Sequence, residues 1–364
     1  MKKIFIMSIA ASVVTLLALG CNQAPIEDVI MELAKKNSTS PANNGGDNGG
    51  YGTVIPGDGN GTGTVTPPPT PNPVVFKMVF AGDTVLGGKV KDAVITYGAG
   101  SYQFPFLYAA TYLKAADLAF LNLESVITDQ GTASGDSSLR ADPAAVSGLT
   151  YAGIDIVSVA NDHAFDYGRT GFDNSLQNLT GAGIAYVGGG TFEESYTAKI
   201  IEVKGCKIAF LAFTNLGDEY SVRTQKNDPS QGLTARTGVA WFYSKYVGPA
   251  IISAKKLADI VVVSLHMGKA GATLPNLYQD KYTHYCVDQG ASLVIGHHPG
   301  VIQPVMVYMK GYIANSLGNF VNYSDDNAAK KGMILEVTVT DKKITRVNRV
   351  YVQINSNYQP VVNY

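Results

Sequence analysis

The sequence predicts one large α/β domain running from about residue 74 to the C-terminus, and three observations carry that expectation. Short apolar runs, most with β-branched residues, alternate with segments of helical pattern, the order expected of βαβ units. Six of the runs end abruptly in polar side chains, as parallel strands do when they deliver functional groups to one rim of a sheet. Roughly 290 residues follow residue 73, enough for a substantial core in a single domain.

The N-terminal part reads differently. Lys2 and Lys3 precede an apolar run from Ile4 to Leu19, with small residues before Cys21, and residues 1–20 are expected to be an export signal. A core helix is disfavoured because nothing nearby could cover a helix apolar on all sides. Ala18-Leu19-Gly20-Cys21 resembles the lipobox of bacterial lipoproteins, in which the Cys is acylated. Lipoboxes usually carry a larger aliphatic residue where this chain has Ala18, and Ala-x-Gly also suits ordinary signal peptidase; a Cys at position 21 favours lipidation. The expected location is the bacterial cell envelope, with Cys21 lipid-anchored to a membrane.

Residues 21–73 are then a tether. Ala24 to Lys36 reads as a short helix, and Asn37 to Pro73 is dominated by Gly, Asn, Thr and Pro. Such a segment buries too little apolar surface to offset its ordering entropy. Its Gly-rich part is a flexible coil and Thr66-Pro67-Pro68-Pro69-Thr70-Pro71 a stiffer spacer, giving a reach on the order of 35 Å.

Within the domain, Val74 to Phe80 leads into Gly82-Asp83-Thr84, and Leu118 to Leu121 into Asn122-Leu123-Glu124. Ile154 to Val159 leads into Asn161-Asp162-His163, followed by Asp166-Tyr167-Gly168, and Ile260 to Leu265 into His266. Leu293 to Ile295 precedes Gly296-His297-His298-Pro299, and Tyr312 to Ala314 precedes Asn315 and Ser316-Leu317-Gly318-Asn319. Helical pattern lies at Phe104 to Ala116, Ala144 to Ala152, Gly171 to Ala182 and Leu277 to Gln289. Gly332 to Val339 and Ile344 to Ile354, joined around Asp341-Lys342-Lys343, read as an antiparallel pair closing the sheet. No internal repeat is evident.

A formal charge of -1 and the lack of a basic run in the domain argue against nucleic acid as a partner. Besides Cys21 there are two cysteines, Cys206 in a strand-like and Cys286 in a helix-like segment. Spacing leaves open a disulfide or two buried thiols, and it excludes a zinc cluster.

Taken in order, these motifs, together with Leu139-Arg140-Ala141-Asp142-Pro143, resemble those of the bacterial capsule synthesis CapA family, which includes the PgsA proteins of poly-γ-glutamate production. The resemblance runs from about Phe76 to Phe320. It implies a calcineurin-like metallophosphoesterase fold, a four-layer α/β/β/α sandwich whose strand-end loops bind a divalent metal pair. It also implies work at the cell surface on an anionic polymer.

A hydrolytic metal centre needs carboxylate and imidazole ligands around an ion that acidifies bound water. Asp83, Glu124, Asp162, His266 and His298 suit that role, with Glu124 the candidate bridge, and His163 resembles the family's acid/base imidazole. Each has a plainer alternative: Asp83 caps a turn, Asp166 orders its own loop, His266 is a hydrogen-bonded core histidine, and Glu124, Asp162, His163 and His298 order loops. Arg140 is a clamp for a substrate anion or half of a surface salt bridge. Asn122, Asn161, His297, Asn315 and Asn319 bind substrate or fix loops.

Two departures from the family bear on mechanism. Its His-Pro-His reads His298-Pro299-Gly300 here, removing one imidazole, and Asp162 stands where Asn is commoner, adding a hard anionic ligand. His297 would have to swing in to compensate, although neighbours on an extended segment point to opposite sides. The expectation is therefore an exported, membrane-tethered hydrolase holding one or two divalent ions (Mn, Zn or Fe). Its substrate would be a phosphoester or a surface polymer such as poly-γ-glutamate, within the capsule synthesis machinery. The alternative is a non-catalytic polymer-binding or assembly subunit on the same fold.

Overall fold

The computed structural model describes residues 72–135 and 139–363, which belong to one compact unit. The expected export signal, Cys21 and all but the last two residues of the tether lie outside the described residues. Among the described residues no helix is long and apolar enough to cross a membrane.

Two sheets form the frame. In the first, β1 (Val75–Thr84), β2 (Leu118–Leu123), β5 (Ile156–Ser158) and β6 (Ala185–Val187) run parallel. On the other side of β1, the antiparallel β16 (Lys331–Thr340), β17 (Lys343–Ile354) and β18 (Pro360–Val362) complete the order β18-β17-β16-β1-β2-β5-β6, and β15 (Asn319–Val321) also pairs with β1. The second sheet has the order β13 (Val305–Tyr308), β14 (Gly311–Ala314), β12 (Leu293–His297), β11 (Ile260–His266), β9 (Cys206–Thr214), β8 (Lys199–Val203). Two-residue ribbons, β3 (Val126–Ile127) with β4 (Arg140–Ala141) and β7 (Gly189–Gly190) with β10 (Gly238–Val239), tie down loops.

The helices are α1 (Gly88–Tyr97), α2 (Ala110–Lys114), α3 (Val146–Ala152), α4 (Gly168–Gly181), α5 (Phe192–Tyr196), α6 (Glu219–Val222), α7 (Ser244–Leu257) and α8 (Leu277–Asp288). The two-residue period of β9 sorts its side chains between layers. Ile208, Phe210 and Ala212 join Phe80 and Phe120 of the first sheet, where the Phe120 and Phe210 rings stack at 6.1 Å. Ala209, Leu211 and Phe213 instead pack with Val247, Ile251 and Ala254 of α7 and with Tyr282, Cys286 and Val287 of α8. Leu113 of α2, Leu149 of α3 and Leu179 of α4 pack with the first sheet. The layering is α/β/β/α, and strands covered on both faces read as continuous apolar runs: every residue of β2 and β11 is buried.

Some expected elements differ in detail. Phe104 to Ala116 is not one helix but a 3₁₀ turn, Phe104–Phe106, followed by α2, because Pro105 supplies no amide donor and Phe106 is drawn fully into the core. The β8–β9 hairpin turns at Lys204 and Gly205, both with positive φ, and β16–β17 turns likewise at Asp341 and Lys342. Cys206 and Cys286 are free, buried thiols, which removes the disulfide alternative.

This frame brings the parallel strand ends of both sheets to one rim. The approach is close: a Cβ on Gly82 would lie 1.9 Å from the Gly318 carbonyl oxygen, so only glycine lets the 316–318 segment lie against β1 beside Asp83.

Candidate metal centre

From the first sheet, Asp83 is the second-to-last residue of β1, β2 is followed by Glu124, and the loop after β5 carries Asp162 and His163. The second sheet supplies His266 at the end of β11 and His297 at the end of β12, followed by His298. Two groups have ligand atoms all within 4.8 Å of one another: Asp162, His266 and His298, and Asp83, Glu124 and His266. His266 stands between them, with Nε2 2.9 Å from Asp162 Oδ1 and Nδ1 3.4 Å from Glu124 Oε1.

Buried amides and imidazoles hold the carboxylates. Asn122 Nδ2 lies 2.9 Å from Asp83 Oδ1, 3.1 Å from Glu124 Oε1 and 3.2 Å from His266 Nδ1. Asn161 donates through Nδ2 to the Leu123 carbonyl at 2.8 Å and to Asn122 Oδ1 at 3.3 Å, fixing the amide between the two sheets. His297 Nδ1 is 3.0 Å from Asp83 Oδ1, and the His298 backbone N–H donates to Asp83 Oδ2 at 3.1 Å. Strand alternation turns His297 to the inter-sheet side with Leu293 and Ile295, where its side chain meets Asp83, while His298, with φ +93°, reaches Asp83 through its backbone N–H.

Charge accumulates in this rim. Burial, then the Asp83 and Asp162 charges, pushes the Glu124 carboxyl well above its ordinary range. Burial would raise Asp83 as well, but its hydrogen bond to His297 and the nearby His297 and His266 imidazoles hold it below that range. Asp162 is held low against burial, chiefly by His266. Burial, and then the neighbouring His266, depresses His298. Three converging carboxylates with imidazoles at hand, and His297 Nε2 buried without a hydrogen-bond partner, are a donor set suited to a divalent cation.

His163 lies beside this set. Its Nδ1 is 2.9 Å from Asp166 Oδ2, and Asp166 Oδ2 also accepts from the Leu139 backbone N–H at 2.6 Å. Burial would lower the His163 pKa, but Asp166 and the Asp162 charge raise it. The guanidinium of Arg140 lies over the Tyr167 ring at 4.6 Å. Asn315 Nδ2 reaches the Pro304 carbonyl at 3.4 Å and Asn319 Nδ2 the Ala329 carbonyl at 2.9 Å, so both side chains brace backbone. Gly300 has φ +66°, and a Cβ there would face Asn319 Oδ1 at 3.5 Å.

Two contributors were not anticipated from sequence. Thr214, paired with His266 across β9 and β11, donates through Oγ1 to the His266 carbonyl at 3.0 Å. Its signal was present, since Ile208 to Phe213 is another apolar run ending in polar residues. Ser125 Oγ accepts from the backbone N–H groups of Leu86 and Gly87, tying the loop after β1 to the one after β2.

A family model described as bacterial capsule synthesis protein PGA_cap matches residues 77–324. The chain is 30% identical over 250 residues to the capsule biosynthesis protein CapA of Bacillus anthracis, covering 67% of this chain and 59% of that protein. It is 32% identical over 252 residues to the PGA biosynthesis protein CapA of Bacillus subtilis, covering 68% and 63%. A probable polyglutamine synthesis accessory protein of Mycobacterium tuberculosis is 25% identical over 255 residues, 66% of each chain. The chain thus spans less than two thirds of the length of the two Bacillus relatives. Among solved structures, one described as a novel phosphatase from Mycoplasma pneumoniae aligns over 79% of this chain and 97% of its own, at 13% identity and a TM-score of 0.46.

Proposed function

The chain belongs to the bacterial capsule synthesis protein family, and from that premise we propose that it is a cell-envelope protein whose strand-end rim is a metal-dependent hydrolytic centre. The substrate class is a phosphoester or an anionic surface polymer of the poly-γ-glutamate type. The observation that carries this reading is the convergence of Asp83, Glu124, Asp162, His266 and His298 from two sheets, with an oriented imidazole alongside. A divalent cation seated in this rim, with Asp162, His266 and His298 among its candidate holders, would acidify a water and polarise the scissile phosphoryl or carbonyl group.

The protein's own groups supply the rest. Asp166 engages His163 Nδ1, which fixes the ring and leaves Nε2 as the atom that handles a proton. Because Asp166 and Asp162 favour the protonated ring, His163 is suited to deliver that proton to the leaving group. Gly82 and the Asn122–Asn161 amides keep the rim rigid. Export through residues 1–20, acylation at Cys21 and suspension of the domain on residues 21–73 are part of the same proposal, placing the centre beside the polymer-handling machinery.

A second reading keeps the fold and the groove but not the chemistry, making the protein a polymer-binding or assembly subunit. Gly300, in place of an imidazole at the rim, favours it. Hydrolysis assays of the full-length protein separate the two. Wild type loaded with Mn, Zn or Fe should cleave a phosphoester or poly-γ-glutamate, and His163→Ala should keep the metal but lose roughly 10²–10⁴-fold in rate. Polymer binding without turnover in every loaded form supports the second reading.

A further inference from the structure

We infer that the rim seats a single divalent cation at the Asp162–His266–His298 end, with Glu124 outside its ligand set instead of bridging two ions. This deepens the proposed metal centre and rests on it.

His266 belongs to both donor groups, but through different nitrogens. Nε2 faces Asp162 Oδ1 at 2.9 Å, while Nδ1 faces Glu124 Oε1 at 3.4 Å and Asn122 Nδ2 at 3.2 Å. A neutral imidazole has one lone pair in the ring plane available to a metal, so His266 completes one group and not the other. Three observations decide between them.

First, the Asp83 end is already filled by hydrogen bonds. Asp83 Oδ1 accepts from His297 Nδ1 at 3.0 Å and Asn122 Nδ2 at 2.9 Å, and Oδ2 accepts from the His298 N–H at 3.1 Å. The Asn122 nitrogen sits 2.9–3.2 Å from donor atoms of Asp83, Glu124 and His266 together, where an ion about 2.0–2.2 Å from the same atoms would collide with it. That amide is fully buried and pinned through its oxygen by Asn161.

Second, the Asp162 end is open. The Asp162 and His298 side chains are 26% and 21% exposed, with His298 Nδ1 3.5 Å from Asp162 Oδ2, so an ion there keeps positions for water and substrate. Asp162 contributes a full negative charge to that end. Third, Gly300 beside Asn319 offers no donor to the other end.

Glu124 Oε1, which accepts from Asn122 Nδ2 at 3.1 Å, then stays out of the ligand set.

The test is metal stoichiometry of the full-length protein, stripped with chelator and titrated with Mn(II), read by elemental analysis and electron paramagnetic resonance. One Mn(II) per chain with an isolated-ion six-line spectrum is expected. Asp162→Ala should lose the ion, whereas Glu124→Gln should retain one with affinity lowered about 10–100-fold, as for an outer partner. Two ions per chain with a spin-coupled spectrum overturn the inference while leaving the metal centre standing. No binding at any Mn(II) concentration overturns the metal centre and this inference together. The wild-type stoichiometry decides without either variant, so a variant that fails to fold does not obscure the result.

Discussion

Asp166 sets the protonation of His163. Burial alone would lower the imidazole, yet the 2.9 Å contact with Asp166 and the Asp162 charge raise it. Stability linked to a raised imidazole pKa is fully present below the unfolded value, about 6.5, and is lost as pH rises through the folded value. Asp166→Asn should therefore lower the His163 pKa and remove that acid-side contribution; an NMR titration of the ring that is unchanged in the variant contradicts the pairing. Glu124 behaves oppositely. Its carboxyl is pushed up, so its ionisation costs stability as pH climbs from the unfolded value toward the folded one. Glu124→Gln should raise the melting temperature of chelator-treated protein at neutral pH, with the gain vanishing below about pH 4, where the carboxyl is protonated in both states. No gain at neutral pH would mean that the carboxylate is not strained. At this scale Asp162, His266 and His298 were legible because each closes an apolar run with a polar group. The contact of His297 with Asp83 was not, because it joins strand ends of two different sheets that no local pattern brings together.

At the scale of elements, the rim stands on strands that read plainly because both faces are covered. Phe210 on β9 illustrates the coupling: it is fully buried and stacks on Phe120 of the other sheet, so the two sheets share one core. Phe210→Ala should cost about 3–5 kcal/mol in denaturant unfolding. A loss below about 1 kcal/mol, the usual scale of a surface change, would mean that this contact does not hold the layers together. Gly82→Ala should lower the melting temperature and displace Asp83, because the added methyl meets the Gly318 carbonyl. The long strands, α8 and the β16–β17 pair were legible from their periodicity and turn residues. Helix α7 went unread although it buries Val247, Ile251 and Ala254. The segment between β9 and α7 also went unread, since its short elements are fixed by tertiary bridges such as Arg223 with Val239 and not by an apolar repeat. Gly217 in that segment lies beside Asp162, an adjacency that no local pattern announces.

At the scale of the molecule, the family was legible from seven motifs in order, and the layered fold followed from the family and not from composition. Residues before about Val74 should be dispensable for folding, because the Gly/Pro/Asn tract has no core to contribute. Limited proteolysis should leave a stable fragment beginning near Pro73; protection throughout Asn37 to Pro73 contradicts the tether. Labelled palmitate should enter the wild type and not Cys21→Ser, and equal labelling of both removes the lipid anchor from the account. The central claim is that the rim is a hydrolytic metal centre. Its most direct test is turnover of poly-γ-glutamate and of a phosphoester by one preparation of the full-length protein, as purified, after chelation and after reloading with a divalent metal. The account predicts hydrolysis of one substrate that disappears on chelation, returns on reloading, and is absent from reloaded Asp162→Ala. Turnover indifferent to chelation, or none in any metal-loaded form, would contradict it.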